Sequence, residues 1–98
     1  ELSSVLEHWE LARRCDEKVT ELEDERETIY AGQTRVAEQL KVLGDAGEEG
    51  RVRERTVAAL VALQDRETAL DDEIAATGAA AEQERAAAQA ELRRLVRG

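Results

Sequence analysis

Gly44-Asp45-Ala46-Gly47-Glu48-Glu49-Gly50 puts three glycines into seven residues near the middle of a 98-residue chain. On either side of it lie long glycine-poor arms whose bulky apolar residues recur at alternating steps of four and three. In the first arm the stripe reads Val5, His8, Ala12, Cys15, Val19, Leu22, Arg26, Ile29, Gln33, Val36, Leu40, Leu43. In the second it reads Leu60, Leu63, Glu67, Leu70, Ile74, Thr77, Ala81, Glu84, Ala88, Glu91, Leu95. That spacing keeps one stripe of a helix facing a neighbouring helix. The two stripes match when residue numbers add to about 92 or 93. Val19 then faces Ile74, Leu22 faces Leu70, Ile29 faces Leu63, Gln33 faces Leu60, and Leu40 faces Val52. A constant sum describes a chain doubled back on itself at the glycine cluster. The expected fold is all-α, a long antiparallel two-helix coiled-coil hairpin.

Composition agrees. There is no proline, phenylalanine or methionine, and one tryptophan and one tyrosine. Of the apolar residues 17 are alanine and 21 are Leu, Val or Ile, enough for a narrow seam between helices but not for a layered core. Helix 1 is expected over about 4–43, started by a capping box of Ser4 and Glu7 and stopped by a left-handed Gly44. A helix of that length is roughly 60 Å long. The loop is expected over about 44–50 and helix 2 over about 51–97. Asp45 and Glu48 offer a second capping box, which would start helix 2 near residue 46 instead. The whole reads as a segment of a larger protein.

Two features refine the packing. Arg26 falls opposite Glu67, a polar pair that penalises slipped alignments. The stripe of helix 2 thins to alanine beyond Ile74, and the register places Trp9 against Ala80, Ala81 and Glu84, where small residues could accept a large ring. Gly78 falls opposite Cys15, as a close approach or a hinge.

Val57-Ala58-Ala59-Leu60-Val61-Ala62-Leu63 is apolar all round its helix, and such a helix needs more than one neighbour. Val57 and Val61 point away from the seam of helix 2, as Leu6 and Leu11 do from that of helix 1. These four mark an interaction surface, for a second copy in a four-helix arrangement or for another domain of the parent chain.

Net charge is −9, concentrated in the first arm at Glu21-Leu22-Glu23-Asp24-Glu25-Arg26-Glu27. Nucleic-acid binding and anionic membranes need clustered lysine and arginine, so neither is expected as a partner. No cofactor or metal is expected either. His8 is the only histidine and is read as a seam residue. Asp71-Asp72-Glu73 lies along one helix, where successive side chains diverge by about 100°. There is no calcium loop, no phosphate-cradling glycine loop followed by lysine, and no Ser/His/Asp set. Cys15 is alone and on the seam, where cysteine behaves as a small hydrophobe. The expectation is a noncatalytic structural or protein-interaction module, with the arm of a nucleotide-driven machine as the alternative.

Ile29-Tyr30-Ala31-Gly32-Gln33-Thr34-Arg35-Val36-Ala37-Glu38-Gln39-Leu40-Lys41-Val42-Leu43-Gly44-Asp45, with Arg51-Val52-Arg53-Glu54-Arg55-Thr56-Val57 and Leu63-Gln64-Asp65-Arg66-Glu67, is similar to a helical hairpin near the C-terminus of large bacterial proteins. Those proteins resemble the mucoidy-inhibitor-like family, and the similarity spans roughly residues 20–76. Gly32, Val36 and Ala37 depart from the family pattern. The resemblance implies a hairpin and a bacterial origin, and no catalytic residues.

Overall fold

The computed structural model describes residues 2–98. It is an all-α helical hairpin of two helices, α1 over Leu2–Lys41 and α2 over Gly47–Arg97. The contacts divide it into two units. One combines the residues up to Glu23 with Asp72–Gly98, and the other is Asp24–Asp71, which contains the chain reversal.

In the reversal unit, antiparallel pairing is fixed by the Arg66 guanidinium. Its Nε and Nη2 donate to Glu25 Oε2 and Oε1 at 2.7 and 3.0 Å. Such a two-pronged pair holds orientation as well as distance. Nearer the turn, Arg53 Nη1 donates to the Leu40 carbonyl at 3.0 Å and to that of Leu43 at 3.5 Å. The last carbonyls of a helix have no partner of their own, and here α2 supplies one from across the hairpin.

The reversal is shorter than a seven-residue loop, and α2 begins at Gly47, close to the alternative start expected near residue 46. Backbone bonds from Val42 to Gln39 and from Leu43 to Leu40, at 3.3 and 3.4 Å, tighten the end of α1. With those groups and Arg53 closing the helix, Gly44 is not needed as a left-handed stop. The one positive φ among the described residues is Gly47, at 63°, just where α2 begins. Side chains other than Asn and Asp rarely adopt that conformation, so glycine fits the position. Gly50 N–H donates to the Ala46 carbonyl at 3.1 Å and opens α2. The carboxylate reaching back into the connection is that of Glu49, which accepts from Gly44 N–H at 3.4 Å. Glu48 pairs instead with Arg51 at 2.5 Å. A Cβ at Gly50 would meet the Asp45 carbonyl at 3.1 Å, so that glycine lets the backbone fold close.

In the other unit the helices pair through polar groups set among small side chains. Val5, Ala12, Leu22, Ala81 and Ala88 are buried there. His8 Nδ1 lies 2.6 Å from Glu84 Oε2, and Ser4 Oγ donates to Glu91 Oε1 at 3.4 Å. Ser4 is therefore inside α1, which starts at Leu2, and serves the seam rather than the expected capping box. Trp9, expected against Ala80, Ala81 and Glu84, is 44% exposed. His8 holds the seam position and engages Glu84, and the next residue is turned away by about 100°. Leu95, the last residue expected on the stripe, is also exposed.

Gly78 lies in this unit, and a methyl group added there would meet nothing within 4 Å. Close approach is therefore not why glycine stands opposite Cys15. Gly78→Ala is expected to stabilise the fold by about 1 kcal/mol through helix propensity alone, read as a rise in thermal melting temperature. A fall would show that α2 is bent here in a way alanine resists.

Candidate interaction surface

Charged side chains pair both across the seam and along their own helices. Arg26 Nη1 donates to Asp71 Oδ1 at 3.1 Å, one turn beyond the expected Glu67. The Tyr30 pKa is raised by burial and then by the negative charge of the Glu67 carboxylate. Arg85 bridges outward to Asp16 at 2.8 Å and along its own helix to Glu82 at 2.5 Å. The Cys15 thiol is half-buried and free. Among the described residues no group of three or more His, Cys, Asp or Glu converges as a metal site, and no helix is long and apolar enough to cross a membrane.

Glu91 carries a pH dependence that can be isolated. A hydrogen bond from Arg94 holds its carboxyl below the ordinary value of 4.5. A carboxylate lowered on folding stabilises the fold above its unfolded value and loses that effect as pH falls through the lowered one. Wild type is therefore expected to melt above Glu91→Gln at neutral pH, with the gap closing as pH drops below about 4.5. A gap that persists in acid would assign the effect to something other than charge.

What remains is surface that the seam does not use. On α1, in the unit without the turn, Leu6 and Leu11 are 59% and 43% exposed. They flank a shallow open groove floored by Ser3, Glu7, Glu10 and Arg14, all from the outer side of one helix. On α2, in the reversal unit, Val57 and Val61 are 41% and 48% exposed. All four residues singled out from the sequence thus lie outside the seam. Valine is a poorer helix former than alanine, so two of them one turn apart on an open face are not explained by helix stability.

The sequence reading missed the Glu25–Arg66 contact and the Arg53 cap. The constant-sum register, applied to positions flanking the stripe, places Glu25 beside Arg66 and Arg53 beside Leu40. The signal was present in that form.

No family model, curated protein or solved structure matches this chain.

Proposed function

We propose that this chain is a noncatalytic coiled-coil module that presents its outward faces to protein partners. The observation that carries the reading is the exposure of Leu6, Leu11, Val57 and Val61, bulky apolar side chains that the seam leaves uncovered on both helices. Exposed apolar residues scattered singly are ordinary, but paired ones on a helix face suit a partner. The partner is a second copy or another domain of the parent protein. The likeness of residues 20–76 to hairpins of mucoidy-inhibitor-like proteins supports the same reading, with a bacterial source.

Site-specific photocrosslinking tests it. A crosslinkable residue at Ala62, beside Val61, is expected to trap a discrete protein species in cells that make the protein in its natural context. The same probe at exposed Gln39, away from these faces, is expected not to. The species should vanish in the Val57→Lys, Val61→Lys double variant while helicity holds. Equal trapping at both positions, or none at Ala62, would overturn the reading.

A further inference from the structure

We infer that the partner of the Val57–Val61 face is a second copy of this chain, seated antiparallel on α2 across a two-fold axis near Ala59. This rests on the interaction-module reading above and names its occupant. The face consists of Glu54, Val57, Val61, Gln64 and Thr68, and Arg51, Arg55, Ala58, Ala62 and Asp65 lie along one flank of it; every one of them is exposed. A two-fold contact is self-complementary: whatever meets a residue in one direction must be repeated in the other. Setting Val57 against the second copy's Val61 also sets Val61 against its Val57, with Ala58 beside its Ala62. The same placement brings Arg55 to the second copy's Asp65, and Asp65 to its Arg55. In an antiparallel helix pair like flanks meet, so these two charges fall on the same side of the contact. Arg51 falls on that side too, one turn from Arg55.

Charge is what selects this occupant. Arg55 and Asp65 make no ion pair or side-chain hydrogen bond among the described residues, although most arginines here do. The face and its flank carry Arg51 and Arg55 with Glu54 and Asp65, two charges of each sign, in a chain whose net charge is −9. This is the stretch on which two copies of an acidic protein meet without like charges opposed. The other exposed apolar face carries Glu7 and Glu10 with a single arginine, Arg14, which Glu10 of the same helix already engages. The small side chains of Ala58 and Ala62 let the two α2 helices approach closely. In this unit the result is a layer of four helices ordered α1, α2, α2, α1.

Sedimentation equilibrium on the full chain, over a series reaching high-micromolar concentration, tests the inference. Wild type is expected to populate a species of twice the 10.9 kDa chain mass. Arg55→Glu sets carboxylate against carboxylate in both halves of the contact, and Asp65→Arg sets arginine against arginine. Each alone is expected to weaken association about tenfold or more, with circular dichroism unchanged because neither side chain holds the hairpin. Mixed together, the two variants are complementary at both pairs and are expected to associate as tightly as wild type. A monomer throughout the series overturns the inference, as does a dimer indifferent to both reversals or a mixture no tighter than its components. If the chain stays monomeric while the Ala62 probe still traps another protein, the second copy is excluded and the interaction reading stands.

Discussion

Leu70→Ala is expected to destabilise the hairpin by about 2–5 kcal/mol and to lower its melting temperature by about 10 °C or more. Leu70 is 0% exposed and is the largest fully buried side chain among the described residues. The seam is one residue deep, so a cavity opened within it has no second layer to collapse into. Truncation therefore removes both the transfer energy of the side chain and its packing contacts. Other seam positions are half-covered, among them Ile29, Leu60 and Leu63 in the same unit, so their truncation should have smaller effects. Thermal melting followed by circular dichroism separates these cases. A Leu70→Ala variant that melts within a degree or two of wild type would mean that the buried stripe does not hold the helices together.

Gln33→Leu is expected to act in the opposite direction, raising stability by about 1–3 kcal/mol. Gln33 Nε2 is buried and has no hydrogen-bond partner among the described residues. A buried amide donor without a partner has lost its water and gained nothing in exchange. Leucine keeps the volume and removes the unmet donor. A polar residue in a seam can also restrict alignment, as single buried asparagines do in coiled coils. The variant should therefore melt higher, by about 4–8 °C per kcal/mol, while tolerating shifted or additional pairings that wild type excludes. A lower melting temperature would show that the amide finds a partner in solution.

Much of this architecture was legible in the sequence because a seam between two helices is a periodic object. All twelve stripe residues named for the first helix are buried or half-buried, from Val5 to Leu43, and so are ten of the eleven named for the second. Leu95 is the exception, two residues from the end of α2. Four-three spacing decides which side of a helix faces inward, and only the arms had to be matched. The same spacing makes His8 a seam residue, and it lies against Glu84.

What the sequence left hidden depends on reach and on chain reversal rather than on period. Arginine has a long, flexible stem, so Arg26 can find Asp71 a turn away from the residue directly opposite. Trp9 sits one residue from the stripe, and a ring of any size at that angle projects to the flank. The turn is the clearest case. Arg53 is local to neither Leu40 nor Leu43 in sequence, yet it bonds both carbonyls, and this cap makes a left-handed Gly44 unnecessary. The left-handed residue moved to Gly47, where the chain re-enters a helix. Of the candidate surface, the four apolar positions were readable as residues off the stripe. The unpaired state of Arg55 and Asp65 was not, because it follows from which charges elsewhere had already found partners.

The antiparallel register is tested most directly by cysteine crosslinking in a Cys15→Ala background. Cysteines replacing Glu25 and Arg66, whose side chains bond directly across the seam, are expected to form an intramolecular disulfide rapidly under mild oxidation at high dilution. Cysteines at 25 and 59, two turns off register, are expected to remain reduced. Faster oxidation of the 25/59 pair than of the 25/66 pair, in chains that keep their helicity, would contradict the fold described here.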